Sequence, residues 1–320
     1  MKKLIVLLLT IAMVGAVSAQ VTTAVSLSGS VYLWNKQSAA ADKATLSPNG
    51  TLTFSAQDKD GKYGFKVKDN DLITTPAFNP DYWAVWYKVS GVKASMGLLD
   101  GGSFVQYFNN GWLENYDPTD AMYGNSIADG LLVETAAPIS GFNVGVYLPL
   151  SGATIVNTLK ATSAGFNYAV GEVATVCGQA NLDFVTNATT VNIGFDYTGL
   201  PGLDGYGWFE YQQAGSTVAG GVGGQYKTKT WRAGAEFEGA NNFANWDVVA
   251  NARYYVTPVL FVQVRPEYRS TGRFRVRGYA NYAFGNGFSA EAMAGYDSNP
   301  AAGAYTGFIS YAKLGYSVSF

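Results

Sequence analysis

The sequence of 320 residues contains no histidine and a single cysteine, Cys177. Without histidine the chain lacks the side chain most often used as a general base and as a metal ligand. A lone cysteine excludes an intrachain disulfide framework and any zinc or iron–sulfur site built from several thiolates. Charge is also scarce. Asp, Glu, Lys and Arg together make up 14%, against about 25% in ordinary soluble domains. The formal net charge of −2 offers no overall basic footprint for nucleic acid. What is abundant is aromatic surface, at 15%, and glycine, with 38 residues. Such a composition folds rather than remaining disordered.

The first segment is read as a signal rather than as part of the fold. Lys2 and Lys3 precede an apolar run from Leu4 to Val17, and Val17-Ser18-Ala19 ends it with small residues. This is the pattern of a secretory signal peptide over residues 1–19, with cleavage before Gln20. The run is shorter than the roughly 20 residues of a spanning helix, and no cysteine at the cleavage site marks a lipoprotein. Residues 20–320 then form one domain, in which no further apolar run is long enough to span a membrane as a helix.

From residue 22 onward the dominant signal is a period of two. Val25, Leu27 and Val31 alternate with Ser26, Ser28 and Ser30, and Phe142, Val144, Val146 and Leu148 alternate with Asn143, Gly145 and Tyr147. The later half repeats this more strongly. Trp231, Ala233, Ala235 and Phe237 oppose Arg232, Gly234 and Glu236; Leu260, Val262 and Val264 oppose Gln263, Arg265 and Glu267. Such spacing places each set on one face of a strand. About seventeen runs alternate, and the stretch 151–180 is the hardest to divide. Thr257-Pro258, Ser270-Thr271-Gly272 and Gly285-Asn286-Gly287 read as turns, with tight turns and longer loops in alternation.

A soluble β-sandwich would also alternate. Three features favour a membrane barrel. Many runs approach ten residues, as tilted membrane strands require, against about five to six in soluble strands. Trp83, Trp231, Trp246, Tyr254, Tyr268, Tyr282 and Tyr296 stand near run ends on the apolar face, as interfacial girdles do. The opposite face carries charge in mid-strand. The last residues, YTGFISYAKLGYSVSF, end on Phe320, with Val318, Tyr316, Leu314, Ala312 and Phe308 on the same face. This segment resembles the closing strand that outer-membrane proteins present to the barrel-assembly machinery. The chain thus resembles the bacterial outer-membrane porins. The resemblance implies an all-β, antiparallel up-and-down transmembrane barrel in the outer membrane of a Gram-negative-type envelope, in contact with outer-membrane lipid. An even strand number is expected, about sixteen, with 14 or 18 open. General porins are often trimers, although no residue here identifies the interface.

All seven arginines lie between residues 232 and 277, and all fall opposite the apolar face: Arg232, Arg253, Arg265, Arg269, Arg273, Arg275 and Arg277. They are expected to line one wall of the lumen, with Lys62, Lys66 and Lys68 as a second basic row. Charged rings set selectivity in pores. Arginines can equally brace a wall, with Glu236, Glu238, Glu267 and Glu291 as partners. The longest stretch without alternation, residues 100–125, holds Asp100, Glu114, Asp117 and Asp120 and no basic residue. In general porins the loop after the fifth strand folds into the lumen. The resemblance therefore sets these acids across a constriction from Arg273, Arg275 and Arg277; the alternative is a plain surface loop. Tyr147, Trp208, Tyr279 and Tyr311 also fall inward, more as packing than as a sugar track.

The function expected from this pattern is a channel for passive diffusion of small hydrophilic solutes and ions. A substrate-specific sugar or anion channel and a non-conducting adhesive barrel are the alternatives. Outer-membrane barrel enzymes resembling it use histidine, which this chain lacks, and Cys177 has no such partner. No cofactor, metal or nucleic acid is implied. No plug domain precedes the first strand, placed near residue 23, as an energy-coupled transporter would require.

Overall fold

A computed structural model describes residues 20–36, 45–69, 81–99, 128–137, 139–150, 162–183, 188–298 and 307–319. The signal-peptide reading, the four acids from Asp100 to Asp120, and Phe320 lie outside these residues. The first half of the barrel is built from β1 (Gln20–Lys36), β2 (Thr45–Gln57), β3 (Tyr63–Asp69), β4 (Tyr82–Val89), β5 (Val92–Leu99), β6 (Ala128–Thr135), β7 (Phe142–Pro149), β8 (Thr162–Val170) and β9 (Ala174–Asp183). The second half is β10 (Ala188–Leu200), β11 (Leu203–Gln212), β12 (Thr217–Lys227), β13 (Trp231–Ala240), β14 (Asn245–Thr257), β15 (Leu260–Arg269), β16 (Phe274–Gly285), β17 (Phe288–Asp297) and β18 (Gly307–Ser319). Each strand pairs antiparallel with its chain neighbours, and β1 pairs with both β2 and β18. The sheet is therefore closed and has no edge.

The barrel has 18 strands, not sixteen. The difference arises where the alternation is weakest. Within 151–180 the chain makes β8, turns at residues 171–173 and starts β9. Outward positions there include Ala164, Gly178 and Ala180, too small to register as an apolar set. The register shifts at four places, Tyr197/Leu200, Tyr255/Thr257 and Ala283/Gly285 near strand ends and Tyr32/Trp34, where a bulge sets Trp34 beside the outward Ala312.

The polarity of the two faces settles which architecture this is. Large apolar side chains such as Val146, Ile193, Phe195, Val262, Val264, Phe288 and Leu314 are exposed. Charged side chains of the opposite phase are buried, with Arg265 and Glu238 each 1% exposed. A soluble sandwich has the reverse arrangement, whereas a barrel in lipid requires this one. On β14 the outward Trp246 and Tyr254 mark two rims. Eight residues at about 3.3 Å each span about 27 Å along the strand, or about 20 Å along a barrel axis at the usual tilt. Trp246 packs on Tyr268 at one rim, and Trp231 on Tyr226 at the other.

Connections sort by end. Those at residues 58–62, 90–91, 136–141, 171–173, 201–202, 228–230, 258–259 and 286–287 are tight and share one end of the barrel. The longer ones, 37–44, 70–81, 100–127, 150–161 and 298–306, join strands at the other end, as do four connections of four residues, 184–187, 213–216, 241–244 and 270–273. Ser90-Gly91 and Asn286-Gly287 both have positive φ at each residue, the backbone of a type I′ hairpin turn.

Gly-rich β12 is explained by its neighbours. Tyr206 and Trp208 on β11 reach across β12 to Glu236 and Glu238 on β13; Tyr206 Oη donates to Glu236 Oε2 at 2.7 Å, and Trp208 Nε1 to Glu238 Oε1 at 3.4 Å. The rings cross above Gly223 and Gly221. A Cβ at Gly221 would lie 2.6 Å from Trp208 Nε1, and one at Gly223 2.5 Å from Tyr206 Cε1. We expect Gly221→Val to displace Trp208 and lower stability by about 2 kcal/mol, as overpacking does. Denaturant unfolding of the barrel refolded in lipid vesicles measures this, and a midpoint equal to wild type would refute it.

Candidate functional site: the inner wall

The arginines expected on one face stand on the inner face, and β15 to β17 bring five of them together, Arg273 from the turn just before β16. Cross-strand register sets Arg265 opposite Arg277, Glu267 opposite Arg275, and Arg275 opposite Asp297. Glu267 accepts from Arg269 Nε at 2.7 Å and Arg277 Nη2 at 3.2 Å, with Arg275 Nη1 at 3.6 Å. Asp297 accepts from Arg273 Nε at 2.9 Å and from Arg275 Nε at 3.2 Å. Arg265, opposite another guanidinium, also feels the charges of Glu267 and Glu236.

Depth separates the two signs. The carboxylates of Glu267 and Asp297 are 3% and 5% exposed, whereas the side chains of Arg269, Arg273, Arg275 and Arg277 range from 14% to 35%. The anions thus lie against the wall and the guanidiniums cover them on the lumen side. Two carboxylates accept from these four guanidiniums, and Asp247 stands opposite Arg269 as a third acid of the wall, so the four cations exceed these acids by one. Bidentate guanidinium–carboxylate geometry also holds the side chains in place. Bracing and an exposed positive field are therefore properties of the same network.

The remaining basic positions are dispersed. Arg253 donates Nε and Nη2 to Gln263 Oε1 at 3.0 and 2.8 Å and lies 4.0 Å above the Phe261 ring. Arg232 stands opposite Arg253 and Lys227 near the tight-turn end. Lys66 and Lys68 face inward on β3, opposite Ser55 and Thr53. Lys62 does not join that row in the strand; it sits in the turn before β3, 3.8 Å from Asp60. Of the expected acidic partners, Glu291 holds Lys313 at 2.8 Å and also accepts from Tyr311. Tyr147 and Trp208 are buried with Leu99, Leu132, Cys177 and Tyr206 in one inward apolar cluster, so they fill space.

Sequence reasoning did not single out Asp297 as a partner, nor Lys88 and Lys93 as inward cations. Their alternation phase was readable, but their neighbours come from other strands. The long segment 100–127 does follow β5. Its root between β5 and β6 lies half-way around the 18-strand ring from β14 and β15.

This fold is that of the bacterial outer-membrane porins. In particular, the chain superposes on Pseudomonas aeruginosa OprD over 94% of its length and 96% of that chain, with a TM-score of 0.57 and 12% identity. It matches the P. aeruginosa outer-membrane protein OpdK over 94% of this chain and 99% of that one, with a TM-score of 0.53 and 14% identity. No protein-family model and no curated protein matches the sequence.

The network makes a stability prediction. Glu267→Gln leaves three guanidiniums without their shared anion and should destabilise the barrel by about 3 kcal/mol. Asp297→Asn, which serves two, should cost less. Unfolding by denaturant in lipid vesicles gives the order, and equal, small effects from both would refute the assignment.

Proposed function

We propose that the chain is a water-filled channel of the bacterial outer membrane that passes small hydrophilic solutes passively and favours small anions. The observation that carries this reading is the depth separation on β15 to β17, with carboxylates buried beneath guanidiniums that are half-buried. Arginine stays ionised at any relevant pH, and a ring of fixed charge is a common source of pore selectivity. A general-diffusion pore would share this wall with weaker discrimination, and the permeability ratio separates the two. The reading assigns the chain no covalent chemistry.

The orientation follows from the connections. In outer-membrane barrels the short turns face the periplasm and the longer loops face outward. By that rule the tight-turn end here is periplasmic. Residues 1–19 are read as the export signal, and the outward Leu314, Tyr316 and Val318, with Phe320, as the surface offered to the assembly machinery.

Segment 100–125 is read as the opposing side of a constriction, with Asp100, Glu114, Asp117 and Asp120 facing the arginines. Two facts support it. Its root is diametrically across from β14 and β15. The inward cluster around Leu99, Leu132, Tyr147 and Trp208 is apolar, a poor lining for water unless covered.

In planar bilayers, the refolded chain should give stepwise open-channel currents. Replacing Arg273, Arg275 and Arg277 together with Gln should lower the anion-to-cation permeability ratio by at least about threefold, as loss of a charged ring does. A reversal potential unmoved by the triple change sinks the arginine wall as selectivity element. Replacing Glu114 with Gln and Asp117 and Asp120 with Asn should shift selectivity the other way, toward anions; no shift argues for a surface loop.

A further inference from the structure

Across the barrel from the arginines, the tight-turn end of β3 to β8 encloses a cavity of about 450 Å³. Among the described residues its cations are Lys66, Lys88 and Lys93, and its one carboxylate is Glu134. Lys88 and Lys93 stand directly opposite each other on β4 and β5, an unfavourable placement for like charges. Glu134 neutralises only one of them, accepting from Lys93 Nζ at 2.9 Å. Lys66 and Lys88 make no ion pair among the described residues; Lys66 lies 5.7 Å from the centroid of the Tyr82 ring. The described lining therefore carries two positive charges beyond its own anion.

The floor is as specific as the charge. Trp86 pairs across strands with Gly64, and a Cβ at Gly64 would lie 2.5 Å from Trp86 Cζ2. The indole is thus laid over β3 where a side chain is missing, which leaves its other face to the cavity. Neutral hydrogen-bonding groups complete the lining. Thr135 Oγ1 donates to Asn143 Oδ1 at 3.1 Å, and Asn143 Nδ2 to Asn167 Oδ1 at 3.4 Å. Asn167 and Ser95 also line the cavity.

We propose that this cavity is a binding site for a sugar phosphate. A double positive excess matches the dianion of a phosphomonoester better than a single carboxylate, and lysine ammoniums serve phosphate as point charges. An aromatic platform takes the apolar face of a sugar ring. Amide and hydroxyl groups beside it pair with ring hydroxyls, and an unsubstituted aromatic acid would leave those groups unmatched. The cavity lies on the wall opposite the arginines, so a solute bound there does not depend on them.

The test is titration calorimetry on the folded full chain in detergent, with glucose 6-phosphate, inorganic phosphate, glucose and benzoate. Glucose 6-phosphate should bind about threefold more tightly than inorganic phosphate and at least about tenfold more tightly than glucose or benzoate, in keeping with one stacking contact added to a charge contact. Lys88→Gln should weaken both phosphates about fivefold. Trp86→Leu should erase the advantage of the sugar ester over inorganic phosphate. The triple arginine replacement should leave the order of the ligands unchanged. Benzoate binding as tightly as the ester, or affinities unmoved by Lys88→Gln, would overturn the proposal. Heat-modifiable migration on gels checks that each variant is folded. Binding is read without current, so a barrel that binds and does not conduct would remove the channel reading and leave this site standing.

Discussion

Closure of the sheet through β1 and β18 is the constraint from which the remaining features follow. In lipid no water is available for a free backbone N–H or C=O, so an open edge would leave a row of unsatisfied groups at several kcal/mol each. Pairing β1 with both β2 and β18 removes the edge. Once the ring is closed, the outer face meets hydrocarbon and the inner face meets water. The sequence must then be apolar outside and polar inside, the reverse of a soluble protein. The outward, exposed Val262, Val264 and Phe288 and the inward Arg265, Glu236 and Glu238 follow from that single condition.

The inner wall solves a second problem, that of holding many charges on a curved surface. At β15 to β17 the solution is depth: carboxylates near the backbone, guanidiniums above them. At β11 to β13 it is reach, since Tyr206 and Trp208 cross a glycine strand to meet carboxylates two strands away. Gly64 beneath Trp86 repeats the device on the opposite side. In each case a missing side chain on one strand lets a large one from its neighbour lie flat. The glycine content of this chain is thus in part a packing feature of the wall, and only in part a matter of turns.

Much of the fold could be read directly. The two-residue period assigned the correct face to nearly every strand from β10 to β18, because large apolar outward residues such as Trp231, Phe237, Val262 and Tyr282 alternate with polar ones. It failed to count strands at β8 and β9, where outward Ala164, Gly178 and Ala180 are small and inward Gly165 and Cys177 are not polar. The site was legible in the same degree. The inward phase of Arg265, Arg269, Arg275 and Arg277 follows from parity alone. Lys62 was misassigned to a strand row, since parity continues through a turn even when the strand does not.

The amino-acid order by itself determined the class of the protein, the face each residue takes along a strand, and the clustering of every arginine between residues 232 and 277, about one seventh of the chain. These depend on spacing along a single strand, which is local. Only the tertiary structure decided that 18 strands close the ring, that Asp297 joins Glu267 beneath the arginines, and that Lys66, Lys88, Lys93 and Trp86 share a cavity with Asn143 and Asn167. Those relations depend on which strands neighbour each other and in what register. Register is set by the whole ring of pairings and by the turns between them, so no single stretch of sequence carries it.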